Sequence, residues 1–497
     1  MLLHFPGGIA IAISGLVGGT TIVNAFKVPQ TPPATSAPIN KAQLSVSLEF
    51  FTFPDYTNIP STTNCLANIQ TLRGAPPAVR IGGTTQDRAT YDPNLTSAVQ
   101  YTVPDPTVAP SSLTYGPTYF TLAAGMKGDV TIGFNRQLNN LSNVRAAAIQ
   151  AKSVMKNLLS VELGNEPDLY SGSSPIVPAG QPWNPTTDGS VEKQWFTDLA
   201  PDVGNIFQGG VYLQFPSWST QGLIPRLGSA INTTVSFSGH SYPQSACGGA
   251  STNLPSLMNH TGIKLYTNRY ASEAAAAHAA GKQYFLGETN SATCGGGGIS
   301  PTFGAALWIV DYVIQGALSG VDRMYFHQGT IGNCQYCFWG RFIVGAPYYG
   351  VAFVSEFFGT DGVHVAEIDD ASDALGVYVV YNAKNYPVRA LVYNSAYFDG
   401  TGTRSNSTVT LTGIPQSQKK KSSISTETKT TTARAKRLTA QSAISRVDQG
   451  GVVTIGGGGT FDNTCKNAGT QSFESVVVDK GTTNVTVRAS EALIVYF

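Results

Sequence analysis

The chain has 497 residues, enough for two or three ordinary domains or for one large barrel with an accessory domain. It is 42% hydrophobic and only 12% charged, with 53 Gly and 28 Pro, which argues for many strands and long ordered loops rather than a charged helical bundle. A formal net charge of +1 excludes a whole-molecule field drawing it to nucleic acid or an anionic membrane, so any anion must be bound locally.

Residues 1–25 read as a signal peptide. "GGIAIAISGLVGG" is its apolar core, and Val23-Asn24-Ala25 supplies small or apolar residues at the cleavage positions. The run is glycine-broken and shorter than the roughly 20 residues of a membrane span. Secretion is therefore expected, with no membrane association after cleavage. Export agrees with six N-x-S/T sequons, at Asn94, Asn140, Asn232, Asn259, Asn406 and Asn484. It also agrees with six cysteines, which allow fifteen pairings once oxidised. Cys334 and Cys337 have zinc-ligand spacing, but no second C-x-x-C or His pair accompanies them, so a structural disulfide is expected. No metal or cofactor site is apparent, and a monomer is expected.

A Pro-rich extended lead-in covers 26–43. From 44 to 355, eight apolar β-branched runs alternate with helical patterns: "LSVSLEF", "AVRIGG", "DVTIGF", "LLSVELG", "GGVYLQ", "TVSFSGH", "QYFLGE" and "RMYFHQG". Such alternation implies right-handed βαβ units and a parallel sheet, and eight repeats fit an α/β fold of the (β/α)8 TIM-barrel type. No G-x-G-x-x-G follows the first run, which removes the main argument for a dinucleotide fold. Over 356–497 the rhythm becomes one of short alternating strands with turn residues between them, predicting a C-terminal antiparallel β-sandwich. Within it, 417–437 ("SQKKKSSISTETKTTTARAKR") lacks apolar periodicity and is expected to be a mobile basic loop.

In such a barrel the active site forms at the C-terminal ends of the strands. The strand-terminal polar residues are Glu49, Arg80, Asn135, Asn165, Glu166, Gln214, His240, Tyr242, Glu288, Asn290, His327 and Gln328. Runs four and seven each end in Glu after an apolar approach. Two carboxyls facing one cleft are the apparatus of glycoside hydrolysis, in which one is held protonated and the other attacks or activates water. Asn165 offers an amide to a sugar hydroxyl, and Tyr242 is placed to donate to Glu288 and keep it ionised. Arg80 reads as structural, paired with a carboxylate inside the barrel mouth. Thr84, Thr85 and Asp87 line or brace the cleft. His240 and His327 read either as shaping the site or, more commonly for such residues, as satisfied core histidines, and Trp183 and Trp339 as either sugar platforms or core.

"LGNEPDLY" and "FLGETNSATCGGGGIS" resemble the acid/base and nucleophile motifs of the retaining-glycosidase clan built on this barrel. Together with "SLEFFTFPDY", "RIGGTTQDRATY", "GHSYPQSACGGA" and "GNCQYCFWGR", they resemble fungal glycoside hydrolase family 79, which contains β-glucuronidases and, more distantly, heparanases. The resemblance spans about Leu44 to Phe497. It implies Glu166 as acid/base and Glu288 as nucleophile, with Glu49 and Asn165 on sugar hydroxyls and Tyr242 near the nucleophile. It further implies that Tyr336 and the Cys294-Gly295-Gly296 backbone take the sugar carboxylate. That last role has a physical basis: a glycine run lets successive N–H groups approach an anion without Lys or Arg. The implied substrate is a glycan bearing terminal β-linked glucuronic acid, with or without a 4-O-methyl group. An endo-acting heparanase-like enzyme and a non-catalytic carbohydrate-binding barrel are the alternatives. The 417–437 segment departs from the family pattern in length and charge.

Overall fold

The computed structural model describes residues 24–340, 343–370, 374–415 and 430–497. The expected leader up to position 23, and the 417–429 part of the expected basic loop, lie outside these residues.

Eight parallel strands close into a barrel. They are β1 (Leu44–Glu49), β2 (Val79–Gly82), β3 (Val130–Phe134), β4 (Leu158–Leu163), β5 (Phe207–Tyr212), β6 (Thr234–Ser241), β7 (Gln283–Thr289) and β8 (Arg323–Gln328). β8 pairs with β1 from Met324↔Leu44 to Gln328↔Leu48, which completes the ring. The strands read as near-continuous apolar runs because both of their faces are covered. β5 begins two residues before the expected run, and Gln214 lies beyond its end.

The helices between strands bury one stripe each. In Leu141–Val154, capped by the Asn140 side chain on Asn143 N, the buried residues are Val144, Ala147, Ala148 and Ala151. That is the i, i+3, i+4, i+7 pattern of a helix lying on a sheet. Phe303–Leu318 and Ala346–Phe358 are instead buried almost all round. They pack on the barrel with one face and on the second domain with the other. The start of Phe303–Leu318 is tied to that domain by Phe303 N–H to Ser445 O (2.8 Å) and Gly304 N–H to Ala443 O (2.7 Å).

Two sheets form the sandwich. The larger orders Ala37–Pro38, β9 (Gly362–Glu367), β10 (Leu375–Asn382), β11 (Pro387–Asn394), β17 (Glu491–Tyr496), β13 (Thr430–Ala440) and β14 (Val453–Ile455), with β15 (Glu474–Asp479) also paired to β13. The smaller places β12 (Asn406–Thr412) between Asn24–Lys27 and β16 (Thr483–Arg488). Their facing side chains make one apolar core, with Val409, Leu411, Val485 and Val487 against Val377, Val379, Val392 and Val495.

Four boundaries differ from the sequence reading. Thr430–Ala440 is a strand, so the basic loop cannot extend to 437. Its buried positions are Ala433, Ala435, Lys436, Leu438 and Ala440, and alanines carry too little apolar signal to be read as a strand face. Two of its cations pair with carboxylates, Lys436 with Glu356 and Arg437 with Glu474 (2.9 Å) and Glu491 (2.8 Å), while Arg434 lies over the Phe473 ring. Residue 356 falls inside the helix Ala346–Phe358, and the sheet begins at Gly362. The lead-in is not a free spacer, because Ala37–Pro38 adds an edge strand to the large sheet and pairs with β9. Asn24 and Ala25, read as the end of the leader, pair with Val409 and Thr410, continuing the alternation of "NAFK".

Three disulfides form: Cys65–Cys465, Cys247–Cys294 and Cys334–Cys337. The first staples the helix Pro60–Arg73 to the second domain. Among the described residues no helix is long and apolar enough to cross a membrane.

Candidate active site

β4 ends in Leu163 and hands the chain to Gly164, whose φ of +85° only glycine adopts freely, and where a Cβ would meet the Tyr170 hydroxyl at 2.2 Å. Asn165 follows, then Glu166 in a left-handed conformation (φ +46°, ψ +58°), before Pro167 opens a short 3-10 turn. A non-glycine residue held there costs roughly 1–3 kcal/mol and persists because its surroundings over-determine it. Two carboxylates do so. Asp87 accepts from Asn165 N at 2.7 Å, from Tyr170 Oη at 2.7 Å and from Arg136 N at 3.2 Å. Asp168 accepts from Gln214 N at 2.6 Å and Leu213 N at 3.1 Å, tying the turn to the end of β5.

β7 delivers Glu288 to the same mouth. One carboxylate oxygen of Glu166 and one of Glu288 lie within 4.8 Å of each other, with a ring nitrogen of His240 within that distance of both. Glu288 Oε2 accepts from Arg80 Nη1 at 2.5 Å, and its Oε1 accepts from Tyr242 Oη at 2.7 Å. His327 Nδ1 stands 3.6 Å from Glu288, and its Nε2 stands 3.3 Å from Glu49. Glu49 also accepts from Thr85 N (3.0 Å) and Thr85 Oγ1 (2.5 Å). Asn165 Oδ1 accepts from Arg80 Nη2 at 2.8 Å, so the amide is oriented by the same guanidinium that serves Glu288.

The two carboxyls are driven apart electrostatically. Burial first, and then the negative charge of Glu288, push the Glu166 carboxyl up to about 8. Burial acts on Glu288 in the same direction, but the charges of His327 and Arg80 and the Tyr242 hydrogen bond outweigh it and hold that carboxyl well below the usual range. His240 is itself pushed down to about 4 by burial, so at neutral pH it is an uncharged partner, with Nδ1 2.9 Å from Glu166 Oε1. Burial and the neighbouring carboxylate raise the Tyr242 hydroxyl, which therefore stays a donor. The trio Glu166, His240 and Glu288 has the donor types of a cation site, but Arg80 already supplies the positive charge at Glu288.

The Cys294 loop runs through five successive positive φ values, from Cys294 (+50°) through Gly295 (+85°) and Gly296 (+106°) to Gly298 (+81°). It is clamped on both sides, by Cys247–Cys294 to the loop after β6 and by Gln335 to the loop after β8 (Gln335 N to Gly295 O 3.2 Å; Gly298 N to Gln335 Oε1 2.7 Å). Tyr336, within the Cys334–Cys337 loop, has its ring centroid 6.5 Å from that of Tyr242 and 6.1 Å from that of His327. The expected residues Glu49, Asn165, Glu166, Tyr242, Glu288 and Tyr336, and the loop with Cys294, Gly295 and Gly296, thus converge on one barrel mouth.

Sequence reading underrated three groups. Glu162 is fully buried inside the barrel and takes Arg80 Nη2 at 2.6 Å and its Nε at 3.2 Å. Its place in "SVELG", two residues before the turn and facing inward by strand alternation, was the available signal. His240 and His327, read more commonly as core histidines than as shaping the site, contact the carboxyls directly, and their strand-terminal positions in β6 and β8 were the signal. Trp339 is buried, with its indole N–H on Thr62 Oγ1 (2.8 Å). Trp183 donates to Pro167 O (2.7 Å) and stacks on Tyr170, bracing the turn.

A closed (β/α)8 barrel whose strand ends bring together one ionised and one protonated carboxyl belongs to a glycoside hydrolase. Comparison with known proteins agrees. The family model for the glycosyl hydrolase family 79 C-terminal beta domain matches residues 377–494. A β-glucuronidase of Aspergillus niger is 31% identical over 415 residues, 75% of each chain, and one of Neurospora crassa is 32% identical over 381 residues, 68% of this chain and 67% of the relative. A 4-O-α-L-rhamnosyl-β-D-glucuronidase from Fusarium oxysporum, solved as its Rha-GlcA complex, superposes with a TM-score of 0.89 at 43% identity, covering 95% of this chain and 100% of that one. A family 51 α-L-arabinofuranosidase from Bifidobacterium longum, at 12% identity and a TM-score of 0.62, shares the fold. The chain belongs to glycoside hydrolase family 79.

Proposed function

We propose that the protein is a secreted, retaining exo-β-glucuronidase that releases terminal β-linked glucuronic acid from glycans. The observation carrying the retaining mechanism is the approach of the two carboxyls. With one oxygen of each within 4.8 Å of the other, the pair is closer to the roughly 5–5.5 Å separation of double displacement than to the about 6.5–9.5 Å of an inverting site, which supports retention.

In the first step Glu166, as the acid, protonates the glycosidic oxygen while ionised Glu288 attacks the anomeric carbon. The C1–O bond breaks and a glucuronosyl ester forms. That ester removes the negative charge which had helped raise Glu166, so its pKa falls as its neighbour is neutralised and, its proton gone, it stays ionised and able to act as the base. Glu166 then takes a proton from water, whose oxygen attacks C1 and frees Glu288. Arg80 and Tyr242 stabilise Glu288 as the departing carboxylate, and Asn165 and Glu49 hold sugar hydroxyls. The Gly295–Gly296 backbone and Tyr336 receive the sugar carboxylate with neutral donors. Secretion is supported by the exposure of all six sequon asparagines and by the oxidised cysteines.

A second reading of the glycone, glucuronate substituted on O4, is favoured by the Fusarium oxysporum relative, which is named for that activity. The test is release of a chromophore from a β-glucuronide compared with the matching β-glucoside and β-galactoside, with the anomer followed by proton NMR. A marked preference for the glucuronide and a β-configured first product are expected. Equal rates on all three would defeat the carboxylate-loop assignment, and an α-configured product would defeat retention.

A further inference from the structure

We infer that Cys247, through its disulfide, and Gln335, through its amide, are positioning residues that set the preference for a uronic acid over the matching neutral sugar. Both act by holding the glycine run after β7 in the shape that receives the carboxylate, not by touching the sugar. This rests on the glucuronidase reading and deepens it by assigning what governs specificity at that site.

A run of glycines does not hold itself. Glycine gives up more conformational freedom on ordering than any other residue, and fixing one backbone residue costs roughly 1–2 kcal/mol. Around Gly295 and Gly298 nothing lies within 4 Å of the place a Cβ would occupy, so packing holds neither. Cys294, at the head of the run, is not a glycine yet has φ +50°. Such a conformation costs roughly 1–3 kcal/mol and persists only where the surroundings impose it. Its bond to Cys247 is that constraint. Cys247 and Cys294 are both exposed, whereas Cys65 and Cys465 are fully buried. The exposed bond therefore fills no core, and its effect falls on the two loops it joins.

The remaining ties grip the run mainly by its carbonyls. Gln335 N–H donates to Gly295 O (3.2 Å), Ser300 Oγ to Gly296 O (2.8 Å) and Thr252 Oγ1 to Gly297 O (2.7 Å). The Gln335 side chain adds a second contact, with Oε1 accepting from Gly298 N at 2.7 Å. Gln335 thus spans the run and stands next to Tyr336, the other expected partner of the carboxylate. Asn290 Nδ2 donates to Tyr336 O at 3.4 Å, which ties the loop after β8 to the loop after β7 a second time.

The reacting end is pinned separately. Thr289 Oγ1 donates to Ser241 O at 2.6 Å, locking β6 to β7 one residue away from Tyr242 and from Glu288. Tyr242 and Arg80 reach Glu288 from strand ends, not from the run. Between the two regions Gln244 and Ser245 pair with Ala292 and Thr293 as a short parallel ladder. Loosening the chain beyond Thr293 therefore reaches the glycine run and leaves the displacement machinery in place.

The experiment measures steady-state kinetics of the full-length wild type, Cys247→Ser and Gln335→Ala on a nitrophenyl β-glucuronide and the matching β-glucoside. Cys247→Ser is expected to raise KM on the glucuronide roughly tenfold or more with kcat held within about threefold, and to leave the glucoside rate within about twofold. Gln335→Ala is expected to act in the same direction by a smaller factor, and it decides the matter should Cys247→Ser not fold. An unchanged KM in the folded variants would show the clamp to be merely structural and overturn the inference. Equal losses on both sugars would overturn it too, because the run would then serve the displacement. A wild type with no preference for the glucuronide would instead overturn the glucuronidase reading, and the clamp's role with it.

Discussion

Glu166 and Glu288 have the same side chain and comparable burial, yet opposite protonation, because Arg80 and Tyr242 touch only Glu288. The proposed double displacement needs Glu166 protonated and Glu288 ionised. The Glu166 carboxyl titrates at about 8, so kcat/KM is expected to hold through neutral pH and to fall as pH rises through about 8; a basic limb near the ordinary carboxyl range would contradict the assignment. Glu288→Gln is expected to lower kcat by three orders of magnitude or more, on the order of 4 kcal/mol of transition-state stabilisation. Steady-state kinetics on an aryl glucuronide checks it. Glu166→Ala should spare the first step when the leaving group is a good one and be partly rescued by azide as a glucuronosyl azide, detectable by mass spectrometry. These two carboxyls were legible in sequence because each closes an apolar run. Glu162 and the two histidines were not, because a polar residue inside a barrel strand has the same local pattern whether it serves the core or the site.

The "GNEP" turn is an element whose shape is set from outside. Nothing local favours Glu166 at φ +46°; Asp87, from the loop after β2, and Asp168 hold it through backbone N–H groups. Hydrogen bonds to a charged group contribute about 1.5–3 kcal/mol each. Asp87→Asn is therefore expected to lower kcat by roughly tenfold or more with little change in KM, since it loosens the acid/base without removing it. A parallel rise in KM would show that the turn serves binding instead. Thr430–Ala440 makes the converse point: a strand whose buried face is rich in alanine and whose Lys436 and Arg437 find carboxylates on neighbouring elements looks like a loop until those neighbours are in place.

At the scale of the whole molecule, two devices join barrel to sandwich. Cys65–Cys465 closes a loop of 400 residues, and removing such a bond typically costs about 2–5 kcal/mol. The paired Cys65→Ser, Cys465→Ser variant should show a lowered Tm with the active-site pH profile unmoved. At a second point of the seam His260 is buried among Asp311 (2.9 Å) on a barrel helix and Asp369 (3.2 Å) and Glu367 (3.6 Å) from the second domain, near Tyr378 and the Lys264–Glu367 pair. Burial opposes the proton there, but Asp311 and Asp369 win, and the imidazole is raised to about 10. The fold therefore binds the proton more tightly than the unfolded chain, where histidine titrates near 6.5. Its contribution is fully present below that pH and is lost as pH rises toward 10. Urea unfolding at pH 6 and pH 10 should show this loss in the wild type and a smaller one in His260→Asn.

The sequence by itself determined the barrel, the order of its strands, the two carboxyls of the candidate site and the existence of the second domain. Strand alternation, glycine turns and strand-terminal acids are local signals, and each is readable within a few residues. Tertiary structure alone decided the Cys65–Cys465 pairing, the recruitment of Asn24–Lys27 and Ala37–Pro38 to the sandwich, and the Arg80–Glu162 support beneath Glu288. These depend on which distant segments meet, and a chain read in order carries no record of contacts 80 to 400 residues away.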